Sequence, residues 1–157
     1  MTAKADFTVE EWKTVLEGPP SAGMIVMTAA HGGTFKETFA IGKAYTEARK
    51  QHGQSELLDE IVSAKPEIDH TRYHSVEELR VHAIQHLRDA VEVLGRKATV
   101  EELDAYRRFV LALAGRVAEA HREHGVTVSD EEQAALSQIS SSLGTPSGAS
   151  SPAEPGR

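Results

Sequence analysis

One short pattern recurs along this chain and constrains its fold more than any other feature: a hydroxyl residue followed three positions later by glutamate. It occurs as Thr8 with Glu11, Thr34 with Glu37, Ser75 with Glu78, Thr99 with Glu102 and Ser129 with Glu132. In such a capping box the hydroxyl accepts a hydrogen bond from the third backbone N–H of a helix, and the Glu side chain reaches back to the cap residue's own N–H. Each copy opens a run whose apolar residues recur every three or four positions, so each predicts a helix start. The stops match the starts. Gly53, Gly95, Gly125 and Gly144 follow such runs and predict left-handed C-terminal caps. No stretch alternates apolar and polar residues for long enough to predict a strand.

The expected fold is therefore all-α, a single compact bundle of about seven helices over residues 1–143. The helices are expected at 8–17, 21–30, 34–52, 55–64, 75–94, 99–124 and 129–143. Gly18-Pro19-Pro20 is expected to separate the first two, because proline lacks an N–H and clashes with the preceding helical turn. The fifth and sixth helices carry the clearest periodicity. Val76, Leu79, Ala83, Leu87, Ala90 and Leu94 form one stripe, and Leu103, Tyr106, Val110, Leu113, Val117 and Ala120 the other. Ile84, Val91 and Phe109 widen these stripes to the breadth of a globular bundle. The link at 95–98 is short, which predicts a central antiparallel hairpin. Within it Leu79, Ala83 and Leu87 claim the inward face, setting His82 at its border and His86 further out. Trp12, with Val9 and Leu16, is expected to dock the first helix. Phe35, Phe39, Ile41, Tyr45 and Ala48 supply the core face of the third. Residues 144–157 are mostly Gly, Pro, Ser and Ala with no large hydrophobe, and predict a disordered tail.

Composition then narrows the function classes. A chain of 157 residues suits one domain. The absence of Cys excludes disulfides, thiolate metal sites and cysteine nucleophiles. A net charge of −7 argues against nucleic acid or an anionic membrane surface as the main partner. The longest weakly polar run, 22–30, is about half of what a bilayer requires. The first six residues are polar and carry no apolar signal core, so a cytoplasmic protein is expected. No Gly-rich phosphate loop, HExxH or GxSxG occurs.

The chain has eight His, some of them in pairs. His82 and His86 lie four apart on the fifth helix, with Glu78 one turn before and Asp89 nearly one turn after. Two imidazoles at that spacing can grip a zinc or copper ion, and the short hairpin brings His121 and His124 towards the same end. Glu78, His82, His86, His121 and His124 are thus the candidate metal ligands, set against a plain solvated face. His70 and His74 flank a polar loop. His121 and His124 at a helix C-terminus are also favoured by the helix dipole alone. A His–carboxylate pair such as His121 with Glu119 or Glu123 offers an enzyme reading. No nucleophilic triad is indicated.

A helix–His–Gly–cap–Glu arrangement occurs twice, at Ala29-Ala30-His31-Gly32-Gly33-Thr34-Phe35-Lys36-Glu37 and at His124-Gly125-Val126-Thr127-Val128-Ser129-Asp130-Glu131-Glu132. The second copy, followed by Ala134, Ala135, Leu136 and Ile139, resembles the acidic-Gly turn and following helix of TerB-like tellurite-resistance domains. That resemblance implies a small bacterial all-helical bundle with a metal-linked stress role. Where that family carries Asp before the Gly, this chain carries His31 and His124. The stretches Lys97-Ala98-Thr99, Tyr106-Arg107-Arg108-Phe109-Val110 and Val117-Ala118-Glu119-Ala120-His121 are more broadly similar to small uncharacterised bacterial all-helical proteins, a likeness that implies no activity.

Three function classes follow. The first is a non-enzymatic helical module working through a protein partner or self-association, with no cofactor. The second is a His-containing, metal-responsive stress protein in which a divalent metal binds. The third is an enzyme using a His–carboxylate pair.

Overall fold

The computed structural model describes residues 2–29, 35–51, 55–64, 74–122 and 130–144, with the side chains of 35–39, 121 and 122 outside that description. After a single 3-10 turn at Lys4–Asp6, six helices follow: α1 Val9–Ala29, α2 Phe35–Lys50, α3 Glu56–Ser63, α4 Val76–Lys97, α5 Val100–Arg122 and α6 Asp130–Leu143. Among the described residues there is no strand, and no helix is long and apolar enough to cross a membrane.

The helix starts obey the cap chemistry. The Thr8 hydroxyl accepts from Glu11 N–H at 3.1 Å while Glu11 accepts from Thr8 N–H at 2.9 Å. Thr99 and Glu102 make the same reciprocal pair at 3.1 and 2.8 Å. Ser75 caps α4 by accepting from Glu78 N–H, but the Glu78 carboxylate accepts from His74 N–H, one residue further back than a strict box. Ser55 caps α3 through Leu58 N–H. The boxes expected at Thr34 and Ser129 lie outside the described residues. At the other end of the chain Gly144 takes φ +81°, the left-handed cap expected of it. Arg107 from α5 completes that terminus, donating to the Leu143 carbonyl at 2.7 Å while it pairs with Asp104.

Three expectations need correction. Gly95 does not end a helix; α4 runs through it to Lys97, leaving only Ala98 and Thr99 as the link to α5. The α4–α5 pair is not the centre either. The two helices share few contacts, whereas α1 packs extensively on α4 and also on α5, α6 and α2. The largest correction concerns the Gly18-Pro19-Pro20 step, which lies inside α1 rather than between two helices. Seven expected helices thus become six among the described residues.

At the first of the two prolines inside α1, the missing donor is replaced from another helix. Pro19 cannot donate to the Val15 carbonyl, and a buried carbonyl without a donor is costly. The hydroxyl of Tyr106, reaching across from α5, donates to that carbonyl at 2.7 Å. Tyr106 is fully buried, and desolvation, with a smaller contribution from Tyr45, raises its pKa well above the ordinary 10. It therefore stays protonated and remains a donor. The ring needs room beside the helix, and Gly18 provides it: a Cβ there would lie 2.0 Å from the Tyr106 oxygen. The tyrosine, the glycine and the proline thus form one unit.

Beyond this step α1 is buried without interruption from Gly18 to Met27. Around it pack Ile41 and Tyr45 of α2, Leu87, Ala90 and Leu94 of α4, and Val110 and Leu113 of α5, with Ile139 and Leu143 of α6 completing the core. Tyr45 meets Phe109 edge to face at 5.2 Å. Trp12 docks the front of α1 as expected and touches Phe7 at 5.5 Å. Val9 and Val76, expected in the core, are instead 81% and 48% exposed, because each is the first residue of its helix and precedes the packed turns. The side chains of Phe35 and Phe39, and the tail from residue 145 onward, lie outside the described residues.

Tyr106→Phe keeps the ring but strips the Val15 carbonyl of its donor, so a loss of about 1–3 kcal/mol is expected in urea denaturation. Gly18→Ala is expected to cost at least as much through the clash. Combined with Tyr106→Phe it should cost clearly less than the sum, since the phenolic oxygen is the atom in the way. Strict additivity would count against this account.

Candidate functional site

Helix α4 carries the sequence-proposed site, and the structure sends its members in different directions. Glu78 is engaged by the backbone of His74 at the helix start. His82 is exposed. His86, expected to point furthest out, instead faces α1. Ala83 and Ala90 lie one turn to either side of it on α4 and are both buried. These two small residues let α1 approach closely, and the imidazole between them is drawn into the contact. His121 (side chain) and His124 lie outside the described residues, as do His31, His52, His70 and Glu123, so the expected cross-hairpin grouping with His82 and His86 is not placed. Among the described residues no group of three or more His, Asp or Glu side chains stands close enough to hold a metal ion.

What the structure does assemble around His86 was not foreseen. Its Nδ1 lies 3.2 Å from the Ser21 hydroxyl, and its Nε2 lies 3.5 Å from Glu17 Oε2. Glu17 and Ser21 are four apart on α1, one helical turn, and so share a face. That pairing was hidden from the sequence, because a break at Gly18-Pro19-Pro20 would have placed the two residues on separate helices. With a proton on Nε2, the ring donates towards Glu17 and accepts from Ser21 through Nδ1. When doubly protonated it donates to both.

A hydroxyl, an imidazole and a carboxylate in sequence invite comparison with hydrolase triads. Access decides the matter. A nucleophilic serine must meet a substrate carbonyl, and Ser21 is 1% exposed in the interior of a packed helix. The arrangement is suited to tying α1 to α4. Glu119, offered with His121 as an acid–base pair, is exposed on α5.

A second convergence of polar groups sits where the N-terminal residues meet the α4–α5 link. Glu102 accepts from the Thr2 amide at 3.0 Å and the Thr2 hydroxyl at 2.6 Å, in addition to its bond from Thr99. The same hydroxyl also lies 3.2 Å from the Lys97 carbonyl, a second and longer contact for its one proton. Lys97 donates to the Asp6 carbonyl at 2.9 Å and pairs with Glu11 at 2.6 Å, with its ammonium 5.7 Å from the Phe7 ring centroid. Burial pushes the Glu102 pKa up, but the hydrogen bonds from Thr2 and Thr99 outweigh it, and the net shift is downward from 4.5. Glu11 is lowered as well, first by its bond from Lys97 and then by the Thr8 amide. The capping boxes were legible in sequence; their second use, in holding the first residues of the chain, was not.

Compared with known proteins, the chain matches no family model, no curated protein and no solved structure. The resemblance to TerB-like domains therefore rests on the residues that carry it.

Two measurements test the site. Carboxyls held below 4.5 add stability that is fully present above that pH and is lost as pH falls through their lower folded values. The urea midpoint is thus expected to drop below about pH 4.5, and Glu102→Gln should reduce the drop while lowering the midpoint at neutral pH. An acid limb of unchanged size would count against the Glu102 assignment. For metal, Glu78 and His86 are turned to other partners, so micromolar Zn²⁺ is expected to leave the melting temperature unchanged. A zinc-dependent rise abolished by His82→Ala would restore the metal reading.

Proposed function

We propose that this chain is a non-enzymatic helical module that works through contacts with another protein or a second copy of itself. The observation that carries the reading is the closure of Ser21. The hydroxyl set against an imidazole and a carboxylate is the arrangement with most potential for chemistry, and it is buried in a helix contact. Among the described residues, the Thr8–Glu11, Ser75–Glu78 and Thr99–Glu102 groups are committed to helix starts, and Glu102 also to the attachment of Thr2. The surface of α4 supports the same reading. Val81 stands 68% exposed in mid-helix beside the exposed residues His82, Gln85 and Arg88. Val81 is the apolar position on this face where a partner's contact is most readily probed.

A photo-crosslinking residue at position 81 tests this in the native cell. A discrete adduct with one protein species is expected. Turnover of a small-molecule ester or amide by the purified chain, lost on His86→Ala, would replace this reading with the enzymatic one.

A further inference from the structure

Helix α1 changes character at its middle. Before Gly18 its only buried residues are Trp12 and Val15, while Val9, Glu10 and Lys13 are exposed; from Gly18 to Met27 every residue is buried. The change falls on the Gly-Pro-Pro step, where the helix ladder lacks the two amide donors that would have bonded the Val15 and Leu16 carbonyls. Fewer backbone bonds join the two halves there than in an ordinary helix.

The polar bonds that hold the front half down come from side chains elsewhere in the fold. Tyr106 holds Val15, Lys97 holds Glu11 and Asp6, Glu102 holds Thr2, and His86 faces Glu17. Several of these lie at the surface. The back half is held differently, by close apolar packing on several sides. At Gly23 an added Cβ would stand 2.5 Å from Ile41 Cδ1 and 3.2 Å from Leu113 Cδ2. There is no space into which this half can loosen without parting the core.

We propose that residues 18–20 are a hinge, and that residues 2–17 form a flap that opens as one unit while residues 21–29 stay in the core. Opening breaks a small set of side-chain bonds and uncovers Phe7, Trp12, Val15 and Leu16. It leaves the packing of α2, α5 and α6 around the back half in place. The inference concerns the fold itself and does not depend on the partner reading above.

Native-state hydrogen exchange on the full chain, followed residue by residue in low urea, is the test. Amides 12–17 are expected to share one opening free energy and one urea slope, both smaller than those of amides 21–29. Ile41→Val then separates the two units, because Ile41 packs at Gly23, beyond the hinge. Loss of one buried methyl should speed exchange at 21–29 about fivefold and leave 12–17 unchanged. Equal protection and equal urea slopes in both halves, or an equal acceleration of both by Ile41→Val, would show one cooperative helix and overturn the hinge. Amides 12–17 exchanging individually, with no common urea slope, would overturn the flap as a unit.

Discussion

The hydrogen bond from Tyr106 to the Val15 carbonyl is the interaction on which the architecture turns. Two consecutive prolines inside a helix cost on the order of 3 kcal/mol each when nothing compensates them. For Pro19 the compensation comes from outside the helix, from a residue 91 positions away in sequence. It requires a buried phenol that keeps its proton, a glycine that lets the phenol approach, and a neighbouring helix that holds the ring in place. With these present, α1 continues unbroken across the proline step, and α2, α4, α5 and α6 pack against it.

Much of the fold was legible because the residues that terminate helices act locally. The hydroxyl–glutamate pairs at Thr8, Ser75 and Thr99 mark helix starts wherever they occur, and Gly144 takes the backbone conformation that few other residues tolerate. The stripes on α4 and α5 read as inward faces, with Val91, Leu103 and Ala120 half-buried and Val76 exposed at the helix edge. The misreadings share one cause, a local rule outweighed by a distant partner. Gly18-Pro19-Pro20 looks like a stop because the donor that rescues it sits on α5. With α1 cut in two, its length and centrality disappear, and the short α4–α5 link then makes those helices seem the core pair. Gly95 looks like a cap, yet α4 runs two residues beyond it, and Lys97 at its end is engaged by Asp6 and Glu11.

The candidate site follows the same logic. A His pair spaced for one helix face suggests ligands, and periodicity alone places His86 outward. The alanines at 83 and 90 are the signal that could have corrected this, since small residues on both sides of a polar one mark a close helix crossing. Glu17 and Ser21 could be recognised as neighbours only once the helix between them was known to be continuous.

The position of α1 in the chain also bears on how the molecule is made. Its two most informative contacts join residues 65 and 91 positions apart, long separations for an all-helical protein, whose contacts are usually local and whose folding is correspondingly fast. A ribosome releases α1 well before α4 and α5. During that interval the run from Ala22 to Met27, buried throughout in the fold, has α2 beside it but lacks α4 and α5, on which α1 packs most extensively. Folding rate, and exposure to aggregation or to chaperones during synthesis, should therefore be governed by the arrival of α4 and α5 rather than by the speed at which any single helix forms.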